Sequence, residues 1–227
     1  MKICIFSDIH GNYEALDKML EAECNHVDGY IFVGDVFGYF YNQSEIISKM
    51  MKMPSLLAVK GNHDHYFLTR RDKEVLLDKY GSSYKISLAE EQREFLENLP
   101  ECIKTTIGGK RIGIFHGGPL DHLEQRVYPD SVLDFSLIEE EYDIVILGHT
   151  HYPLEKKIGN TLLVNPGSLG QPRDGKGFSY CILDVEEGVC NFKKVDVNMQ
   201  ELLAQVRRID GDKAVGAYLL KKHGEKV

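Results

Sequence analysis

Lys2-Ile3-Cys4-Ile5-Phe6-Ser7-Asp8-Ile9-His10-Gly11-Asn12 decides the architecture. Its first five residues, apolar after the lysine, read as a buried strand. The run then breaks at once into serine, aspartate, histidine and glycine. From Asn12 to about residue 23, Tyr13, Leu16, Met19 and Leu20 recur on one face, which predicts a helix. The same unit repeats downstream. Residues 30–33 predict a strand, followed by Gly34-Asp35 and a helix over 43–51. Residues 56–59 predict a third strand, followed by Lys60-Gly61-Asn62-His63-Asp64 and a short helix over 73–79.

Hairpins dominate the second half. Ser87-x-x-Glu90 has the form of a capping box that opens a helix ending near Asn98, before Pro100. Gly108-Gly109 joins strands over 102–107 and 110–115. A helix is expected over 131–140 and strands over 144–147, 161–164, 179–185 and 189–195. Two amphipathic helical segments, 199–208 and 212–222, close the chain. Strand–helix alternation followed by hairpins implies an α/β (α+β) sandwich with sheets inside and helices outside. At 227 residues, 43% of them hydrophobic, a single domain covering 1–227 is expected, with the helical segment about 198–222 packed on it.

The polar residues cluster where predicted strands end: Asp8 and His10, Asp35, Asn62 with His63 and Asp64, His116, and His149 with His151. Ligands of α/β sheets bind outside the carboxyl ends of strands, so five such ends can share one rim. Five of the nine histidines lie in these clusters. Imidazole and carboxylate together suit manganese, iron, cobalt, zinc or nickel better than calcium. Asp-x-His and His-x-His put two side chains on one side of an extended segment. One carboxylate can bridge two ions about 3.5–4 Å apart, the spacing used in phosphoryl transfer.

The net charge of −8 disfavours stable binding to nucleic acid, and no run of lysine and arginine offsets it. The five cysteines form no CxxC pair and read as reduced thiols. The apolar run at the N-terminus is too short for a signal peptide, and no stretch approaches the length of a membrane span. A cytoplasmic protein without a membrane association is expected.

Asp8-x-His10, Gly34-Asp35, Gly61-Asn62-His63-Asp64, His116-Gly117 and Gly148-His149-Thr150-His151 together resemble the calcineurin-like metallophosphoesterase superfamily. All five blocks occur in family order between about residues 2 and 174. The size and the Asn165-Pro166-Gly167-Ser168 segment are similar to its small prokaryotic phosphodiesterase branch. The resemblance implies a four-layer α-β-β-α sandwich of two mixed sheets flanked by helices, and two divalent ions, manganese first. Asp8, His10 and His151 would hold one ion, Asn62, His116 and His149 the second, and Asp35 would bridge them. A hydroxide between the ions would attack a phosphodiester or phosphoanhydride of a small molecule or nucleotide. His63 would face the substrate, protonating the leaving group or stabilising phosphoryl oxygens, with Asp64 as its orienting partner.

Val36-Phe37-Gly38-Tyr39 stands where the protein phosphatase branch carries a second aspartate and an arginine, which favours a small substrate. Asn12, His122 and Arg173 are candidate substrate contacts. The aromatic run Tyr39-Phe40-Tyr41 fits either core packing or a substrate cleft. A dinucleoside polyphosphate hydrolase is the alternative activity, and a non-catalytic scaffold on the same fold is the alternative of another class.

Overall fold

β1 (Lys2–Phe6) lies at the centre of a sheet ordered β10-β9-β1-β2-β3. A computed structural model of the chain describes residues 1–69, 73–132 and 141–223. β1 runs parallel to β2 (Gly29–Phe32), and β2 to β3 (Leu56–Ala58). β9 (Phe178–Asp184) and β10 (Val189–Val195) add an antiparallel pair on the far side of β1. The second sheet has the order β4-β5-β6-β8-β7. Its centre is parallel, β5 (Lys110–Phe115) beside β6 (Ile144–Ile146) beside β8 (Thr161–Pro166). Its edges, β4 (Cys102–Ile107) and β7 (Pro153–Ile158), are antiparallel.

Period-two alternation divides each central strand between two environments. Ile3 and Ile5 of β1 and Ile31 of β2 meet Ile112, Ile114, Ile144, Ile146 and Val164 of the second sheet in a dry interface. Cys4, Phe6, Tyr30 and Phe32 face the other way, into a core with α1 (Tyr13–Glu23) and α2 (Gln43–Met50). α6 (Met199–Asp210) and α7 (Ala214–His223) join that layer through Leu202, Val206, Val215 and Leu219. The outer face of the second sheet packs Val145 and Leu163 with Val127 and Tyr142. The expected two-sheet sandwich with helices outside is therefore the architecture found. The helix expected over 131–140 falls almost wholly outside the described residues.

Several local expectations shift. Asn12 is not the first residue of α1 but its cap, its Oδ1 accepting from the Ala15 amide at 3.4 Å. The helix expected to open at Ser87 is α5 (Glu90–Glu97), capped at Ala89, whose amide donates to Gln92 Oε1 at 3.0 Å. Gln92 Nε2 also donates to the Ser44 carbonyl at 2.9 Å, so the start of α5 is set by its docking on α2. Three elements were not expected, α3 (Asn62–Thr69), β7 and a 3₁₀ turn. α3 carries no amphipathic pattern because its face is built from site residues. β7 is a charged edge strand with little apolar signal. α4 (Lys73–Tyr80) and a 3₁₀ turn, Gly81–Tyr84, follow α3.

Candidate metal centre

The carboxyl ends of β1, β2, β3, β5 and β6 converge. Asp8, His10, Asp35, His149 and His151 all have φ between 48° and 68°, the left-handed region that non-glycine residues rarely adopt. Asp8-x-His10 and His149-x-His151 are thus not extended segments, as the spacing alone suggested. Both members of each pair sit on tight loops. Such backbone geometry costs of order 1–3 kcal/mol per residue and persists where surrounding contacts impose it.

Those contacts are specific. The Asp8 amide donates to the Gly34 carbonyl at 2.9 Å and the His10 amide to the Asp35 carbonyl at 3.1 Å. The Asp64 carboxylate accepts from the amides of Asp35 (2.9 Å), Val36 (2.8 Å), Phe37 (3.3 Å) and Gly61 (3.0 Å). Gly61 passes so close to Asp35 that a Cβ there would lie 2.1 Å from Asp35 Oδ1. Asp64 therefore clamps the Asp35 loop rather than orienting His63, the partner expected for it. Each bond from a neutral donor to a charged acceptor contributes about 1.5–3 kcal/mol, so four of them make a firm anchor. The group at His63 Nδ1 is instead the Tyr84 hydroxyl, at 2.7 Å.

The ring nitrogens have defined roles. His10 Nδ1 meets the Phe37 carbonyl at 2.5 Å, His151 Nδ1 the Gln171 carbonyl at 2.6 Å, and His116 Nδ1 the Val33 carbonyl at 2.7 Å. A carbonyl only accepts, so each Nδ1 carries the hydrogen, and each Nε2 of a neutral ring presents a lone pair. His10 Nε2 and His151 Nε2 face one another at 3.2 Å. His116 Nε2 lies 3.0 Å from Asn62 Oδ1 and 3.3 Å from Asp35 Oδ2. Asp8 Oδ1 and Asp35 Oδ2 are buried and accept no hydrogen bond. Acceptors converging on acceptors, with two bare carboxylate oxygens among them, fit divalent cations. Asp8, His10 and His151 form one compact donor group, and Asp8, Asp35 and His116 a second. Asp35 Oδ2, 3.9 Å from His10 Nε2 and 3.3 Å from His116 Nε2, stands between the two halves. His149 is set slightly apart, its Nε2 accepting from Arg126 Nε at 3.3 Å.

The charged groups of this cluster perturb one another strongly. Burial disfavours the Asp8 carboxylate, but the His151 imidazole beside it, with His116 and His10, holds it well below the usual carboxylate range. Burial pushes Asp35 up to about 7, against the pull of His116. His116 also loses solvation, yet the Asp35 and Asp8 carboxylates override that and push it up to about 10. We take the pair to share one proton across the 3.3 Å between Asp35 Oδ2 and His116 Nε2; with that proton gone, Nε2 presents the lone pair described above. A cation must displace that proton. Metal uptake at pH 7–8 is therefore expected to release about one proton per chain, with affinity rising as pH rises. Calorimetry in two buffers of different ionisation enthalpy measures it, and equal heats in both would contradict the assignment.

Over this floor opens a cleft of about 430 Å³. Asp35, Asn62, His63, His149 and His151 line it, and so does Arg173, one of the three candidate substrate contacts. The other two expected contacts lie elsewhere. Asn12 donates to the Leu169 carbonyl at 2.8 Å and caps α1. His122 packs its ring 5.2 Å from that of Phe115. The aromatic run divides, with Phe40 fully buried and Tyr39 in the cleft wall. Arg126, Tyr80 and Tyr218 also line the cleft and were not singled out from sequence. An isolated tyrosine on a helix reads as core, and only Arg126's position in the long segment after His116 hinted at a site.

Residues 1–188 match the model of the calcineurin-like phosphoesterase superfamily domain. A Methanocaldococcus jannaschii protein, uncharacterized protein MJ0912, is 32% identical over 227 residues, covering 90% of this chain and 91% of that one. Escherichia coli phosphodiesterase YfcE is 25% identical, covering 91% of this chain and 97% of its own. Among solved structures, a metallophosphoesterase from Sphaerobacter thermophilus superposes with a TM-score of 0.81 at 24% identity, over 98% of both chains.

Proposed function

The chain belongs to the calcineurin-like phosphoesterase superfamily, and from that premise we propose that it is a binuclear metal-dependent phosphodiesterase of small molecules or nucleotides. The observation that carries this reading is the floor of converging acceptors, Asp8 Oδ1, Asp35 Oδ2 and the Nε2 atoms of His10, His116 and His151, beneath an open cleft. Asp8, His10 and His151 would hold one ion, Asn62, His116 and His149 the other, with Asp35 shared. Two divalent ions supply acidification of water and charge neutralisation at phosphoryl oxygens. Manganese suits the mixed imidazole–carboxylate donors, with iron, zinc, cobalt or nickel as alternatives.

The chain's own residues do the rest. Arg126 is placed to exchange His149 Nε2 for a phosphoryl oxygen, and Arg173 offers a second guanidinium at the rim. Burial, then the neighbouring imidazoles of His10, His151 and His116, keeps the His63 imidazole neutral. A neutral imidazole is a poor acid but a good donor. The Tyr84 hydroxyl lies 2.7 Å from Nδ1 and 3.4 Å from the His63 carbonyl; we assign its hydrogen to the shorter contact, which leaves the ring hydrogen on Nε2, where it can bond a phosphoryl oxygen as charge builds there. Of the two roles expected for His63, we assign this one.

The test is metal analysis of the purified chain followed by a panel of generic phosphodiester, cyclic nucleotides and dinucleoside polyphosphates after chelation and reloading. Hydrolysis restored by manganese is expected. No turnover with any of the five metals would sink the reading and leave the non-catalytic scaffold in its place. Among the described residues no helix is long and apolar enough to cross a membrane.

A further inference from the structure

The match to the family domain ends at residue 188, and α7 lies beyond it. Yet α7 reaches the cleft. Val215 and Leu219 anchor it in the core. At its end, Lys222 Nζ donates to Gln171 Oε1 at 2.6 Å, and the His223 ring stacks on that of Phe178 at 6.1 Å. At its start, Asp210 at the end of α6 accepts from the Ser82 amide and hydroxyl, both at 2.8 Å, and from Lys213. The helix is thereby tied at both ends, to the 3₁₀ turn that carries Tyr84 and to the loop that carries Arg173. A wall held in this way can position a ligand.

The residue this wall presents is Tyr218. It is 46% exposed and lines the cleft. Behind it a series of rings leads down to the floor. Tyr218 lies 6.2 Å from Tyr39, Tyr39 5.4 Å from Tyr80, and Tyr80 4.6 Å from His63. Tyr39 and Tyr80 are buried and act as backing, Tyr66 is half-buried with its hydroxyl on Glu124, and Tyr218, with Lys222 Nζ 5.8 Å from its ring centre, is the most exposed of these cleft rings. Cations flank the same space. Arg126 stands beside His149, the Arg173 amide donates to the His151 carbonyl at 3.4 Å, and Lys79 Nζ sits 5.0 Å from the centre of the Tyr80 ring. A phosphate alone needs only the floor and the arginines. The cleft as a whole, inside the range of about 300–1,000 Å³ typical of small-molecule sites, has an aromatic side that a phosphate does not use.

We propose that α7 completes a nucleobase platform, with the base of a nucleoside phosphate stacked on Tyr218 and its phosphate on the floor between Arg126 and Arg173. The phosphate end of this arrangement rests on the phosphodiesterase reading, whereas the base end rests on α7 alone. A purely structural Tyr218 would be one exposed ring on a surface helix. Its place at the top of the aromatic series, above the acceptor floor, is what that account leaves unexplained.

The test compares adenosine 5′-phosphate with ribose 5-phosphate, ligands that share the phosphate and sugar and differ in the base. Affinities are measured by calorimetry on the metal-loaded protein and on Tyr218→Ala and Tyr218→Phe. Stacking on an aromatic side chain predicts that the adenine compound binds the wild-type protein about tenfold or more tightly than ribose 5-phosphate. The ratio should fall to near one in Tyr218→Ala and survive in Tyr218→Phe. A wild-type ratio near one overturns the platform while leaving phosphodiester hydrolysis, assayed separately, to stand or fall alone. A ratio that survives in Tyr218→Ala removes α7 from base recognition. Circular dichroism of both variants confirms that an altered ratio is not a folding defect.

Discussion

Asp35→Ala is expected to lose both metal ions, or nearly so, and with them at least about 10³-fold in kcat/KM. The expectation comes from the double use of the carboxylate. Oδ2 stands between the His10 and His116 nitrogens, while Oδ1 accepts from the His63 amide at 2.9 Å. Alanine removes the shared ligand and leaves a buried amide unpaired. Asp35→Asn separates the two effects, because its amide oxygen can keep the His63 bond while being a weaker ligand. Metal content by mass spectrometry of both variants, with thermal melts for folding, decides the matter. Full double occupancy in Asp35→Ala would mean that Asp35 is not the bridge.

His63→Ala is expected to keep its metal and lose about 10²–10⁴-fold in kcat. No candidate ligand atom comes from its side chain, so metal content is the control for misfolding. The pH profile then distinguishes the two roles. The environment holds the imidazole neutral well below its ordinary range, so the wild-type kcat profile should carry no limb near pH 6.5 that belongs to His63. A limb there that vanishes in His63→Gln would make His63 a titrating acid instead of a neutral donor. Tyr84→Phe frees the ring's Nδ1 and should lower kcat more than it raises KM, as expected of a group that positions a donor without touching substrate.

The residues legible in the sequence share one property. Aspartate, asparagine and histidine directly after an apolar strand have no packing reason to be there, so Asp8, Asp35, Asn62, His116 and His151 announce themselves. The central strands were equally plain, because isoleucine and phenylalanine runs have few other uses. What escaped notice depends on contacts between segments far apart in the chain. Asp64 reads as a partner for its neighbour His63, but it is spent on four backbone amides, three of them from the Asp35 loop. Tyr84 is 21 residues from the imidazole it meets. Tyr218 belongs to a helix whose pattern is ordinary core packing. Ser87 has the right spacing for a cap, yet the docking of Gln92 on α2 moves the helix start to Glu90.

The donor groups draw on both sheets, and this has a consequence for when the protein can become competent. Asp8 and His10 follow β1 of the first sheet, and His151 follows β6 of the second, 141 residues after His10. His116, after β5, meets Asn62, after β3, 54 residues earlier. A nascent chain emerging from the ribosome therefore has no complete cation site until most of its length has been made and the two sheets have closed. The proposed donor groups are therefore complete only late in synthesis, and a partly synthesised or misregistered chain would lack them.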